Sequence, residues 1–410
     1  LYISWIGRSV RDNTERPPSV LVAQLRDHLH NGWHLADEQP LLDALTTVHP
    51  LQPFSQHYFS ENSAHSDLFT YAHEWSVLHQ APAKEQAARL NQYVPEHAMT
   101  PELLQRFLRD PVKFFFNERL KVHLDAIELA VFEDEPFALD GLQRYSLQSE
   151  LLSAGQHAAL DADLVEILEL HSEKLQRSGA LPMCAFGEQL RGELIEPLLE
   201  QLEHYRELCA VWPNEEDAAR MIDMQHSNIH LEGWLAGLRT ASSGVATATL
   251  YARIELTPGK INTGKERSWR RLLRPWVQHV LINASGAPTQ TFIIAQESSI
   301  AFASLEAEAA QHIAQTWLEC LHSGLNSPIP VALKTAMDFL KNQTDSKAQS
   351  TYEGGYQTTG EVQQSAALAR QYPTYADLTA DETFAQWAEL LYGSLFNADI
   401  IKLERQGDAS

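Results

Sequence analysis

The feature that most constrains this chain is a change of period at Trp212-Pro213. Upstream, Leu190, Leu194, Leu198, Leu202 and Tyr205 recur every three or four residues, the mark of a helix buried along one stripe, with Pro197 as an expected kink. Downstream the period is two. "RMIDMQHSNIHLEGWLAGL" (220–238) predicts a hairpin turning at Ser227-Asn228. "LYARIELTPGK" (250–260) predicts a half-buried strand, with Leu250, Ala252, Ile254 and Leu256 inward and Tyr251, Arg253, Glu255 and Thr257 outward. An amphipathic helix, "SWRRLLRPWVQHVLINASG", then an apolar strand, "TFIIAQ", and a helix over about 304–323 follow. Strand, strand, strand, helix, strand, helix is the order of a mixed β-sheet flanked by helices, so the expected fold class is α/β (α+β).

The rest of the chain reads around that centre. Residues 1–6 predict a strand, and "ERPPSVLVAQLRDHLHNG" a helix entered through Pro18-Ser19 and stopped at Asn31-Gly32. "HPLQPFSQHYFS" (49–60) has two prolines and no period, as a connector does. Thr100-Pro101 and Pro111 start two helices, and the pattern is helical from about 66 to 211. Residues 342–365 are polar and poor in aliphatics and predict a loop or a partly disordered segment; a helix over about 381–396 comes last. At 410 residues and 44% hydrophobic content, two or three folded, soluble domains are expected. The expected divisions are 1–50, a connector and helical linker over 51–100, and 101–410, the last being helical over 101–211 with a sheet core over about 220–296. Opening on "LYISWIG" without a methionine, the chain reads as a piece of a longer protein. Cys184, Cys209 and Cys320 are scattered, which suits a reducing cytoplasm and argues against a disulfide framework; no apolar run is long enough to span a membrane.

Charge narrows the partners. The net charge of −23 argues against a free-standing nucleic-acid binder, but its distribution is uneven. Residues 101–220 carry 11 Lys and Arg against 24 Asp and Glu, a surface suited to protein subunits or solvent. Residues 221–300 reverse the balance with 8 against 5. There Lys260, Lys265, Arg267, Arg270, Arg271 and Arg274 crowd 15 residues beside Trp269, either as a solvated helix face or as a phosphate-facing patch.

Most chemical motifs are missing. GxxxxGK[ST] is absent, and "GKINTGKERS" (259–268) has the wrong order for a phosphate loop, so no ATPase is expected. His226 and His230 lack the glutamate of HExxH and lie on a hairpin, while the acid runs Glu133-Asp134-Glu135 and Glu215-Glu216-Asp217 read as solvated loops. No GxSxG occurs. Arg253 and Glu255 stand two apart on the central strand, reversing the acid-then-lysine order of many Mg²⁺ nucleases. A guanidinium there stays charged and repels a metal, so Glu255 reads as a surface ion-pair partner. The alternative is a rearranged Mg²⁺ site built from Asp223, Glu232 and Glu255.

The phrases "LYISWIGRSVRDNTERPPSVLVAQL", "HPLQPFS", "DPVKFFFNERLKV", "FEDEPFALDGLQRYSL", "LEGWLAGL", "WVQHVLINASG" and "TYEGGYQ" resemble the C-terminal part of the RecC family, the gamma chains of bacterial exonuclease V, the RecBCD helicase–nuclease. The resemblance runs through essentially the whole chain. It implies that 1–50 is the end of a helicase-like RecA domain without ATPase motifs, and that 101–410 is a PD-(D/E)xK nuclease fold that has lost its active site. Ala236 then stands where active relatives have an aspartate, and Arg253 and Glu255 replace the D/E-x-K pair. Asp110 takes the place of the cysteine of iron–sulfur relatives, so neither cofactor nor metal is implied. The family role is a non-catalytic scaffold that holds RecB-type and RecD-type subunits, splits duplex DNA ends with a pin and feeds a strand past a Chi-reading site. DNA contact is expected at Lys260–Arg274, in a hetero-oligomer in the bacterial cytoplasm. A purely protein-binding module is the remaining alternative.

Overall fold

The computed structural model describes residues 1–9, 11, 14–36, 39–59, 68, 70–72, 74–76, 90–124, 138–226, 228–241, 250–263, 266–355 and 358–403. The chain divides into two compact units, Leu1–Arg89 and Leu90–Ser410. In the first, α1 (Val20–Gly32) has the expected bounds and α2 (Leu41–Ala44) follows it. The Arg26 guanidinium lies over the Trp5 ring at 5.4 Å. The strand expected over residues 1–6 does not form: these residues are exposed and make no ladder with any described strand, and extended backbone without a ladder is not a strand.

The second unit begins with two capped helices. Thr100 accepts the Leu103 N–H at the start of α3 (Pro101–Arg109), and Asp110 accepts the Lys113 N–H at the start of α4 (Pro111–Phe114). Both helices carry proline in the first turn, where a missing N–H costs nothing. Then α5 (Gly141–Gln156), α6 (Leu164–Arg177) and α7 (Cys184–Val211) pack through Leu151, Leu168, Leu194, Leu198 and Leu202. The predicted stripe is thus a helix, and α7 runs on through Pro197 as one 28-residue element.

Past Pro213 the chain alternates strands with helices. Its strands are β1 (Asn214–Glu215), β2 (Arg220–His226), β3 (Ile229–Leu235), β4 (Leu238–Thr240) and β5 (Tyr251–Leu256). A small hairpin, β6 (Asn262–Thr263) and β7 (Glu266–Arg267), leads into α8 (Trp269–Ala284), β8 (Thr289–Ala295) and β9 (Ser298–Phe302). The remainder is α9 (Ala307–Asn326), α10 (Leu333–Asn342), α11 (Asp345–Glu353), β10 (Gly354–Gly355), β11 (Thr358–Thr359), α12 (Ala366–Gln371), α13 (Tyr375–Thr379), α14 (Phe384–Phe396) and β12 (Ile400–Leu403). A six-stranded mixed sheet runs β1-β4-β5-β8-β9-β12. Only β5 and β8 are parallel, with α8 as their crossover, because a parallel pair cannot be joined by a tight turn. The hairpin β2–β3 has the predicted register, His226 opposite Ile229, but forms a separate two-stranded ladder.

Both faces of the large sheet are covered. On one side α7 packs Tyr205, Cys209 and Trp212 against Ala252, Ile254, Phe292 and Ile294. On the other, α8 and α9 join α3, α10 and α14 in the main core around Trp276, Val280, Phe302, Trp317 and Tyr392. Three sequence expectations change here. Helix α8 is not a surface amphipath, since every residue from Leu272 to Ala284 except Arg274 is buried. Strand β9 is hidden in the sequence because a tight turn at Gln296-Glu297, with Glu297 at φ 62°, separates two apolar runs of one hairpin. Residues 342–365 are not a loop: α11 forms, and Ala348 and Tyr352 are fully buried, so two well-placed apolar contacts anchor an otherwise polar helix.

Candidate functional site

Strand β5 alternates as expected, with Ala252 and Ile254 on the α7 side. The other face is not open to water. Helix α8 lies over it, and the Arg253 and Glu255 side chains keep only 13% and 19% of their exposure. Arg253 Nη1 donates to Gln278 Oε1 of α8 at 2.6 Å and sits 2.6 Å from Glu255 Oε1. Glu255 Oε1 has no directed hydrogen bond, so that contact is an ionic one. The surface pair expected from sequence is therefore a largely buried one, and its partners come from a helix that a period of two cannot reveal.

Beside this pair runs a second polar row on α8. His279 Nδ1 meets Thr291 Oγ1 at 2.9 Å, while Asn283 bonds the Thr289 backbone through both its amide nitrogen and its oxygen. Burial pushes the His279 imidazole down to about 4, Arg253 adds to that, and the Ala303 backbone opposes it. His279 is thus a neutral ring wedged against Trp276, 5.3 Å away. Sequence reasoning misses Gln278, His279 and Asn283, for which the available signal is three polar residues inside the apolar run "WVQHVLIN".

The other candidate ligands do not converge on this place. Ala236 is exposed in the link from β3 to β4, next to Gly237 at φ 82°, and the β4–β5 ladder ends at Leu238 opposite Arg253. Asp223 and Glu232 face each other across the separate β2–β3 hairpin, and Asp223 is held by His230 at 2.9 Å. The rearranged set Asp223, Glu232 and Glu255 is therefore not assembled as a site. Among the described residues no group of three His, Cys, Asp or Glu side chains could hold a metal. His226 turns instead to Glu319 at 2.7 Å, and Glu215 to Arg239 at 2.7 Å. The run Glu133-Asp134-Glu135 lies outside the described residues. Asp110 Oδ2 accepts from Ser365 Oγ at 2.9 Å; Cys209 and Cys320 are buried and Cys184 exposed.

The basic stretch divides by environment. Lys260 pairs with Glu297 at 2.5 Å. Arg271 donates to the Lys260 carbonyl and lies over the Tyr145 ring at 5.9 Å. Its guanidinium fills the space a Cβ on Gly259 would take, so "GKINTGKERS" packs an arginine where a phosphate cradle would need room. Arg267 lies 5.7 Å from the Trp269 ring, which packs on Phe396 and is only partly exposed. Arg267, Arg270 and Arg274 are exposed around the first turns of α8, and Lys265 lies outside the described residues. Arg270 also faces Arg109 of α3, a neighbour that no sequence pattern indicates.

The match to a known family falls within the second unit. Residues 96–344 match the family model described as the RecC C-terminal domain. The chain is similar to "RecBCD enzyme subunit RecC" of Escherichia coli (strain K12), 27% identical over 85% of this chain and 29% of that protein. It is also similar to the protein of the same name from Haemophilus influenzae, 24% identical over 86% of this chain and 29% of that one. The chain thus spans under a third of the length of these relatives. No helix among the described residues is long and apolar enough to cross a membrane. The match covers more than half of the 410 residues, and the chain belongs to the RecC family.

Proposed function

We propose that this chain is part of a non-catalytic, DNA-handling subunit of a RecBCD-type helicase–nuclease, acting with RecB-type and RecD-type partners in bacterial double-strand-break repair. The relatives carry the name of a RecBCD subunit, and this part of the chain matches them along most of its length. We further infer that the second unit is a PD-(D/E)xK nuclease-like fold in a degenerate form. Three strands, a crossover helix and a parallel fourth strand support that reading.

The observation that carries the non-catalytic role is the Arg253–Gln278–Glu255 cluster. A hydrolytic Mg²⁺ site needs several hard oxygens converging on one point and an open path for water. On β5 the carboxylate is held by a guanidinium and the face is closed by α8. The strand can support a sheet but offers no metal cradle. What remains useful for DNA is the exposed cationic end of α8, where Arg267 and Arg274 present charge to a duplex end or fork. A strand-splitting pin belongs to the same reading, as does location in the bacterial cytoplasm.

Two measurements test it. Digestion of labelled duplex by the full chain with Mg²⁺ or Mn²⁺ should give no product; cleavage lost on Glu255→Ala would overturn the non-catalytic role. Arg267→Glu with Arg274→Glu should weaken DNA-end binding of the assembled complex and lower its salt slope by roughly 0.9 for each phosphate no longer neutralised. An unchanged slope would refute the role given to α8.

A further inference from the structure

A recess of about 410 Å³ opens where α3, α4, the start of α8, the start of α10 and the segment before α12 meet. Its floor is apolar: Phe114, Leu333 and Leu368 are 2–3% exposed. Its rim carries five cations, Arg106, Arg109, Lys113, Arg270 and Lys334, against two carboxylates, Asp110 and Glu361. In a chain of net charge −23 such a concentration is the opposite of the average surface.

The two carboxylates offset it only in part, leaving three cations in excess, and both are engaged by neighbouring donors. Glu361 accepts the backbone N–H groups of Lys334 and Thr335 together with the Thr335 hydroxyl, so its oxygens cap α10. Asp110 is occupied by the Lys113 N–H and by Ser365. Among the cations, Arg106 is drawn to Glu118 at 3.2 Å and Lys334 to Gln364 at 3.2 Å. Arg109 and Arg270 are different: they are neighbours of like charge. Partial burial, and then Arg270, pull the Arg109 guanidinium below its ordinary value, with Asp110 opposing. Holding two guanidiniums together beside a desolvating wall is unfavourable unless an anion joins them.

We propose that this recess takes a phosphodiester group of a single DNA strand, forked between Arg109 and Arg270, with the attached nucleotide over the apolar floor. Arginine forks match the paired oxygens of phosphate, and the volume lies in the range that admits one small ligand unit. Duplex phosphates lie on a convex cylinder and suit the outer face of α8; exposed arginines on the rim of a recess suit the bendable backbone of a strand already separated, whose nucleotide can turn inward. The inference rests on the DNA-handling reading above and adds to it a strand type and a residue, Arg109, outside the basic stretch.

The test is binding of a fluorescein-labelled oligothymidylate of about a dozen residues to the full chain, with a duplex of the same length and inorganic phosphate as parallel arms. Arg109→Gln and Arg270→Gln should each lower oligothymidylate affinity roughly tenfold and reduce the salt slope by about 0.7. Lys334→Gln, further along the rim, should give a smaller loss in the same direction and serves if either arginine variant is poorly folded. Arg267→Gln and Arg274→Gln should act mainly on the duplex. If Arg109→Gln and Lys334→Gln leave both affinity and slope unchanged while Arg267→Gln weakens the duplex arm, the recess assignment is wrong and the DNA-handling reading stands. If none of the variants changes any arm, both are wrong. Binding of inorganic phosphate that depends on Arg109, without oligothymidylate binding, would make the recess a small-anion site and overturn the strand assignment.

Discussion

Replacing Arg253 by Met tests whether the cluster on β5 is a structural unit. Arg253 supports two buried groups: the Glu255 carboxylate, with its side chain 19% exposed, and the Gln278 amide of a residue 5% exposed. Removing one partner of a buried pair costs about 3–5 kcal/mol, because a charge is left without its counter-ion. The residual exposure admits some water, which reduces the expected cost to roughly 2–3 kcal/mol. Arg253→Met combined with Glu255→Leu removes the stranded charge as well, and should be at least about 1 kcal/mol less harmful than the sum of the single changes. Because the chain has two compact units, a global unfolding midpoint would mix their contributions. Native-state hydrogen exchange of the β5 and α8 amides reads the local opening energy instead. If the double variant equals the sum of the singles within about 0.5 kcal/mol, the two charges do not interact and the account of a closed cluster fails.

Two other predictions concern neighbours of that cluster. His279 is neutral and buried with its ionisation pushed down to about 4, so the unfolded chain binds a proton first as pH falls; the stability this ring confers is present above about 6.5 and lost toward 4. Between pH 7.5 and pH 5 the loss should be roughly 2 kcal/mol, seen as lower α8 protection factors once the intrinsic pH dependence of exchange is divided out, and His279→Gln should flatten this dependence; an unchanged dependence would refute it. Gly259→Ala would place a Cβ 2.3 Å from Arg271 Cζ, so it should swing that exposed, flexible guanidinium off the Lys260 carbonyl at a cost of about 1 kcal/mol or less. Arg271→Ala in the same chain should add little further loss by the same exchange measurement, because that contact is already gone; a full additive loss would mean the guanidinium had kept its place.

Legibility in the sequence follows the range over which each interaction acts. The stripe on α7, the cap at Thr100, the helix start at Pro111 and the β2–β3 turn are readable because period and capping are local. The covering of β5 is not, because Arg253 and Gln278 are 25 residues apart and only the β5–α8–β8 crossover brings them together. For the same reason Glu255 reads as a surface partner when the strand is taken alone. The folding of 342–365 is equally hidden: composition describes its exposed side, while Tyr352, which decides its packing, reaches the Tyr372 carbonyl 20 residues away. Arg109 and Arg270 are 161 positions apart, and no spacing rule connects a residue at the end of α3 to one at the start of α8.

Helix α8 links the two halves of the functional reading. Past Arg274 it is buried on every side, and there it supplies Gln278, which meets Arg253 on the face of β5, and His279, which meets Thr291 of β8. On or just ahead of its first turns it carries the exposed Arg267, Arg270 and Arg274, beside the buried Leu272 and Leu273. The positive end of the helix dipole adds to those side chains in the same place. On the function proposed above, a single crossover would both close the β5 face to a hydrolytic centre and project cations outward, so that the absence of cleavage and the grip on DNA would share a structural cause. Separating them is possible in principle, since Gln278 is about two turns beyond Arg271. Substitutions at Gln278 should open the β5 face to exchange without altering DNA affinity, whereas substitutions at Arg267 or Arg274 should do the reverse.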